Sequence, residues 1–346
     1  MSVGLIGSGS WGTAIMKLLV NNVYKVKSLH WYVREQNIIE NLKKFHHNPD
    51  YLSSVEIDVN KHKIQLTTDI KHIVNQCDIL IFVVPSAFLE VTLGNHNFDF
   101  RDKIVVSAIK GVIPNDNLII SEFFEKKYDV SLRQQAVVSG PSHAEEVALE
   151  RLSYLTVGSP NRKVAEKIAS LVSCRYIRTR ISNDIFGIEY ASVLKNIYAL
   201  AGGICHGLGY GDNFLAVIVS NGMHEMNKFM NRVNPHKSMF VKFMRRVKPV
   251  RRTVHSSVYL GDLLVTAYSQ FSRNRTFGTM IGKGYSVKSA QLEMSMIAEG
   301  YYAVKCIWEI NQKYNIPLPI VNAVYDILYN QQPPDKVIER LAAQLR

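Results

Sequence analysis

Lys195 stands in the middle of "EYASVLKNIYALAGGICHG" (189–207), with Asn196 beside it. Its flanks are apolar, and burying a charged amine is costly unless something nearby compensates for it. At about 3.6 residues per turn, Ala191, Ser192, Ala199 and Gly202 fall on the face that carries Lys195. All four are small, whereas Leu194, Ile197, Leu200 and Ile204 lie mostly on other sides. The lysine therefore rises from a low patch where a ligand can approach the backbone. An amine desolvated near a second cation has a lowered pKa and can trade a proton with a substrate hydroxyl near neutral pH. Hydride transfer at a carbinol carbon needs such a proton partner. A lysine snorkelling from a buried helix is the alternative.

Lys110 in "SAIKG" (107–111) is a candidate for the second cation. It follows an apolar run that reads as a strand, and the carboxyl ends of such strands are where ligands sit. "GDLLVTAYSQFSRNRTFG" (261–278) holds Asp262 and the cluster Ser272, Arg273, Asn274 and Arg275. Arginine beside asparagine suits a phosphate, through forked and single donors; a solvated loop is the alternative. "GLGYGDN" (207–213) ends one helix with glycines and restarts the next with Asp212 and Asn213 as caps. Turn chemistry alone also accounts for it.

A second cluster lies at the start, in "VGLIGSGSWGTA" (3–14), where Gly7, Gly9 and Gly12 form a G-x-G-x-x-G directly after a strand and at the opening of a helix. That is the context the motif needs. Gly7 permits the tight turn, Gly9 lets the backbone approach a pyrophosphate, and Gly12 lets helix and strand pack closely. Unpaired N–H groups of the helix start then face the anion. The second strand ends in "WYVREQN", with Arg34 first and Glu35 next. An acid there would bond the ribose 2′-hydroxyl of NAD, and a basic residue the 2′-phosphate of NADP. Arg34 favours NADP; an ordinary surface arginine is the alternative.

These groups need elements to hold them. Apolar runs at 3–7, 28–33, 78–85, 103–111 and 135–142 read as strands, alternating with amphipathic stretches. The pattern is that of an α/β doubly wound parallel sheet. After Asp184 the period turns helical, over 185–207, 213–229, 289–314 and 320–328, and no strand pattern returns. The expected division is residues 1–184 as the dinucleotide-binding domain and 185–346 as an all-helical domain carrying substrate and catalysis. A chain of 346 residues exceeds what one core usually organises.

Composition narrows the class. Hydrophobic residues make up 47% and charged residues 20%, which fits a folded globule. Cys77, Cys174, Cys205 and Cys306 are widely spaced with no CxxC pair, which argues against a disulfide framework or zinc ribbon. The histidines show no metal-ligand spacing, so no metal is expected. The chain opens at once on a strand and glycine turn, and no apolar run approaches the roughly 20 residues of a membrane helix. The expectation is a soluble cytoplasmic protein without membrane insertion. Nine Lys/Arg and no Asp/Glu fall between Asn227 and Gly261, so most of the +12 formal charge is local. A solvated basic loop is expected there, with a short basic helix as the alternative; aromatic interleaving for base stacking is sparse, so no nucleic acid is expected.

Taken together, "GSGSWGTA" (7–14), "FVVPS" (82–86), "SAIKG" (107–111), "SGPSHAEEV" (139–147), "LKNIYALAGGICHGLGYGDN" (194–213), "GDLLVT" (261–266), "SRNRTFG" (272–278) and "AEGYYAV" (298–304) resemble NAD(P)-dependent glycerol-3-phosphate dehydrogenase, especially the bacterial soluble form. They run in family order over nearly the whole chain. The resemblance implies an N-terminal Rossmann domain, a helical C-terminal domain and a homodimer. It implies reversible reduction of dihydroxyacetone phosphate to sn-glycerol 3-phosphate, supplying phospholipid synthesis. By position, Lys195 would be the proton acceptor or donor, with Asn196 beside it, and Asp262 would lie close to Lys195. Lys110 would touch cofactor and substrate. Gly140 and Ser142 would border the substrate, and Ser272, Arg273 and Asn274 would hold its phosphate. Ser10, Trp11, Arg34, Ala144 and Glu299 fall on cofactor positions, with Arg273 also near the cofactor. Three features depart from the family: His143 replaces an aromatic, Phe214 a small polar residue, and 227–261 is longer and more basic. The rival readings are another dehydrogenase of similar build, such as a hydroxyacid or ketopantoate reductase, and a non-catalytic NADP- or nucleic-acid-binding regulator.

Overall fold

The computed structural model describes residues 1–233, 252–294 and 298–345. The chain divides into two compact units, one of Met1–Ile109 with Ile120–Ile185, the other of Lys110–Ile119 with Phe186–Arg346.

The first unit is built on one sheet. Its strands are β1 (Ser2–Ile6), β2 (Ser28–Tyr32), β3 (Ile64–Thr67), β4 (Ile79–Phe82) and β5 (Ile104–Ser107). After the short pair β6 (Val112–Ile113) and β7 (Leu118–Ile119), which belongs to the second unit, come β8 (Gln135–Ser139), β9 (Ser153–Gly158) and β10 (Ile177–Ser182). The sheet order is β10-β9-β8-β5-β4-β1-β2-β3. All pairs are parallel except β8 with β9. The unbroken apolar runs have a plain cause: β4 and most of β1 are buried on both faces, as strands of parallel sheets are. β3, β9 and β10 escape the apolar-run criterion because each carries polar or exposed positions.

The chain runs from β1 outward to β2 and β3, then returns to place β4 on the other side of β1. This reversal is the topological switch point, where open α/β sheets bind ligands beyond the strand carboxyl ends. Gly7 to Gly12 follow β1 there, and helix Ser10–Asn21 starts within them.

The second unit is helical apart from the β6–β7 hairpin among the described residues. Its longest element, Ile185–Gly207, carries Lys195 and is called here the lysine helix. Asp212–Val233 follows it, and Arg273–Gly282, the arginine helix, crosses it. Both crossing helices carry a glycine pair four residues apart, Gly203 with Gly207 and Gly278 with Gly282. A Cβ built at Gly203 would sit 2.2 Å from the Arg275 carbonyl oxygen, and one at Gly278 2.1 Å from that of Leu200. At Gly207 and Gly282 the corresponding clashes are with Thr279 O at 2.4 Å and Ile204 O at 2.3 Å. Backbone meets backbone, and no side chain fits between.

One expectation changes, and a second falls largely outside the described residues. The helix read over 289–314 is two, Val287–Glu293 and Glu299–Asn311. Of the basic stretch 227–261, Asn227–Val233 lies in the helix Asp212–Val233, Ser257–Gly261 forms a π-turn, and 234–251 lie outside the described residues. Among the described residues no helix is long and apolar enough to cross a membrane.

The glycine crossing predicts a sign. Alanine ordinarily stabilises a helix over glycine by about 1 kcal/mol, but a methyl forced into backbone costs about 1–3 kcal/mol or more. Gly278→Ala should therefore lower the melting temperature, and Gly278→Val more so. Gly211→Ala should leave it nearly unchanged, because a Cβ there meets nothing within 4 Å. Thermal denaturation followed by circular dichroism checks all three.

Candidate active site

Within the second unit, Asp262 brings two lysines together. Its Oδ1 accepts from Lys195 Nζ at 2.5 Å, and its Oδ2 lies 3.8 Å from Lys110 Nζ. Asp262 is 1% exposed and Lys195 4%. The local chain explains this convergence. The lysine helix supplies Lys195, the turn entering the β6–β7 hairpin supplies Lys110, and the π-turn Ser257–Gly261 runs directly into helix Asp262–Tyr268. Thr266 steadies the start of that helix, its hydroxyl donating to the Asp262 carbonyl at 2.6 Å. Asn196 donates from Nδ2 to the Lys110 carbonyl at 3.0 Å, which ties the hairpin to the lysine helix beside the amines.

Burial drives the Lys195 amine down to about 7; Asp262 opposes this and the Lys110 charge adds to it. With Asp262 ionised and Lys110 charged, the three groups carry no net charge when Lys195 is neutral and one positive charge when it is protonated. The site can therefore hold or release a proton near neutral pH, which is what general acid–base chemistry requires.

The phosphate candidates lie at a helix start. Ser272 is the N-cap of the arginine helix, its Oγ accepting from Arg275 N at 3.3 Å, and Arg273 is the first helical residue. Asn274 is 8% exposed, and its Oδ1 accepts from Gly300 N at 2.8 Å. That bond fixes the amide plane and leaves its NH₂ group as the donor end. Gly300 also packs on the lysine helix, since a Cβ there would sit 2.8 Å from the Asn196 carbonyl oxygen. Glu299 opens the helix Glu299–Asn311.

The remaining sequence-derived residues belong to the first unit. Gly7 has φ +121°, and a Cβ at Gly12 would meet the Gly7 carbonyl oxygen at 2.4 Å, so both positions require glycine. At Gly9 an added Cβ meets nothing within 4 Å, so the backbone there is open to close approach among the described residues. These features fit a dinucleotide pyrophosphate. Ser10 and Trp11 are the first residues of the helix that follows. Arg34 is exposed and its Nε donates to Glu35 Oε1 at 2.8 Å, so the end of β2 presents a cation and an anion together. Gly140 has φ +141°, and its carbonyl accepts from Ser142 Oγ at 3.0 Å, while Ala144 begins a short helix.

One sequence reading needs correcting. The small residues around Lys195 do not form an open patch. Ala191, Ser192 and Ala199 are each at most 2% exposed, and a Cβ at Gly202 would strike Leu215 Cδ1 at 2.6 Å. Small side chains there serve helix packing.

Residues 2–165 match the family model for the N-terminus of NAD-dependent glycerol-3-phosphate dehydrogenase, and residues 184–339 match that for its C-terminus. The chain belongs to this family. Glycerol-3-phosphate dehydrogenase (NAD(P)+) of Bacillus subtilis is 33% identical to it, over 99% of this chain and 94% of that one. A crystal structure of glycerol-3-phosphate dehydrogenase from Coxiella burnetii superposes with a TM-score of 0.84 at 25% identity, covering 99% of this chain and 98% of the other. A 2-dehydropantoate 2-reductase structure from Bacillus subtilis shares the fold alone, with a TM-score of 0.51 at 9% identity. The sequence reading of family, fold class, enzyme class and NAD(P) cofactor agrees with these matches. In this dehydrogenase, among the described residues, no group of three or more His, Cys, Asp or Glu is placed to hold a metal.

The electrostatics of the dehydrogenase are open to a two-way test. Lys195 should titrate at about 7. Lys110→Gln removes a repelling charge and should move the midpoint up, and Asp262→Asn removes an attracting one and should move it down. An NMR titration of ¹⁵N-labelled lysine side chains, assigned against Lys195→Met, reads both shifts.

Proposed function

We propose that the enzyme reversibly reduces dihydroxyacetone phosphate to sn-glycerol 3-phosphate, with Lys195 as proton donor and, in reverse, proton acceptor. The observation that carries the reading is the buried Lys195 amine held at Asp262, with Lys110 on the other carboxylate oxygen. NAD(P)H, when bound, supplies hydride to C2 of the substrate. Protonated Lys195 gives its proton to the C2 oxygen as the carbonyl becomes an alcohol. Lys110 polarises that carbonyl, and Asn196 holds Lys110 in place. Asp262 orients Lys195 and offsets its charge. Ser272, Arg273 and the Asn274 amide grip the phosphate at the start of the arginine helix, so that binding energy remote from C2 fixes its geometry. The phosphate also brings negative charge toward the lysines. That charge raises the Lys195 pKa and favours the protonated form needed for reduction.

Residues 1–184 act on this reading as the cofactor domain and 185–346 as the substrate domain. Gly7, Gly9, Ser10, Trp11, Gly12, Arg34 and Ala144, with Lys110, Arg273 and Glu299, contact the cofactor. Gly140 and Ser142 border the substrate. Arg34 favours NADP, although Glu35 offers NAD a partner. The enzyme works as a cytoplasmic homodimer that feeds phospholipid synthesis.

Lys195→Ala should lower kcat by about 10²–10⁴-fold, the usual worth of general acid–base catalysis, with cofactor affinity retained. Arg273→Ala should lower kcat/KM for dihydroxyacetone phosphate by about 10–100-fold, since a hydrogen bond to a charged group is worth about 1.5–3 kcal/mol. NADH and NADPH absorbance followed side by side measures both and decides the cofactor. Retained turnover in Lys195→Ala would remove its assigned role. No consumption of either cofactor by the parent enzyme would overturn the substrate reading.

A further inference from the structure

Asn48 lies in "HHNPDYL" (46–52), between helix Gln36–Phe45 and β3 and outside any regular element. It is nevertheless 0% exposed, and every hydrogen-bonding position of its amide is used. Oδ1 accepts from the backbone N–H groups of Asp50 and Tyr51, each at 3.2 Å, which closes a local turn on the side chain. Nδ2 points the other way. It donates to the Ser8 carbonyl at 2.8 Å and to Thr13 Oγ1 at 3.0 Å, and Thr13 in turn donates to the same carbonyl at 3.3 Å. Trp31, on β2 and also 0% exposed, donates from Nε1 to the Gly7 carbonyl at 2.9 Å. The carbonyls of Gly7 and Ser8 are thus held from behind by side chains 24 and 40 residues away.

The peptide unit is planar and trans, so its C=O and N–H point in opposite directions. Holding Gly7 O toward Trp31 turns the Ser8 N–H away from Trp31. Holding Ser8 O toward Asn48 turns the Gly9 N–H away from Asn48. Gly9 is the position where an added Cβ meets nothing within 4 Å. We propose that Asn48 and Trp31 are positioning residues for the cofactor: they lock the peptide planes of the glycine loop so that the Ser8 and Gly9 N–H groups face the pyrophosphate before it arrives. A loop already ordered in its binding geometry loses less freedom on binding. The inference rests on reading 7–12 as the pyrophosphate loop.

The test measures NADH and NADPH dissociation constants by fluorescence titration, well below each variant's melting temperature. Asn48→Ala removes the donor to Ser8, and Trp31→Phe removes the donor to Gly7 while keeping a smaller aromatic ring in the core. Asn22→Ala is the control. Asn22 is as deeply placed, 3% exposed, and donates to the carbonyls of Leu18, Leu171 and Ser173 at the far end of the helix that follows the loop. The expected result is a rise of tenfold or more for Asn48→Ala, a smaller rise for Trp31→Phe, and a change within twofold for Asn22→Ala. At saturating cofactor, kcat and the KM for dihydroxyacetone phosphate should return toward parental values in Asn48→Ala and Trp31→Phe. Cofactor binding within twofold of the parent in both loop variants would overturn the proposal. So would an equal loss in Asn22→Ala, which would mark a general effect of destabilising the unit. A parent protein that binds neither cofactor would instead overturn the reading of the loop itself.

Discussion

The carboxylate of Asp262 is the constraint on which the helical unit depends. A charged amine in an apolar helix is a large desolvation cost unless a counter-charge meets it. Asp262, 1% exposed, meets it at 2.5 Å and offers its second oxygen to Lys110. Three separate pieces of chain must arrive together for this: a hairpin edge, the middle of a long helix and the start of a helix after a π-turn. Another buried acid in the same unit has a different set of partners. Glu225 is 3% exposed and accepts from the N–H groups of Ile320 at 2.6 Å and Val321 at 3.4 Å. Those amides open the helix Pro319–Leu328, whose own N-cap, Leu318, has no side chain able to cap it. Burial pushes Glu225 up to about 8 while the amide donors oppose the shift. The difference between the two acids is their partners: backbone amides make a cap, and two amines make a proton site.

The distance between proton site and phosphate candidates is set by the glycine crossing. Lys195 and Gly203 are two turns apart on one helix, and Arg273 and Gly278 lie a little over one turn apart on the other. Because backbone contacts backbone at the crossing, the separation of the helices is the smallest their main chains allow. A larger residue at any of the four glycines would move Arg273 and Asn274 relative to the Lys195 amine. The same glycines are poor helix formers, so the contact stabilises the helices that local propensity does not.

Much of this was legible in residue type and order. The glycine loop after an apolar strand, the misfit lysine and the switch from strand to helix period all follow from local rules. What escaped depends on partners distant in the chain. The small face around Lys195 read as room for a ligand, and only Leu215 and the surrounding core show that it is room for helices. Lys110 read as part of the sheet domain because its strand is there, yet its carbonyl and the hairpin after it group with the helices. The cluster at 272–275 left loop and phosphate site equally open, since a serine cap and a helix start are visible only once the helix is placed. Met294, which caps Val287–Glu293, and Ala298, which caps Glu299–Asn311, are neither glycine nor proline, so neither announces a helix end.

Three buried asparagines show how the two units solve one problem with one side chain. Asn48, Asn196 and Asn274 are 0%, 5% and 8% exposed, and each binds backbone beside a candidate ligand group. Asn48 and Asn196 give their NH₂ to the carbonyls of Ser8 and Lys110, while Asn274 takes the Gly300 N–H on its oxygen. An aspartate could accept the Gly300 amide but could not donate to either carbonyl, and it would add a charge next to two lysines. A glutamine could donate but has one more rotor to immobilise. The amide of asparagine is short, planar and uncharged, with donor and acceptor on opposite edges. It can therefore fix a backbone plane without adding a charge beside Lys195, whose pKa burial lowers while Asp262 and Lys110 pull it in opposite directions.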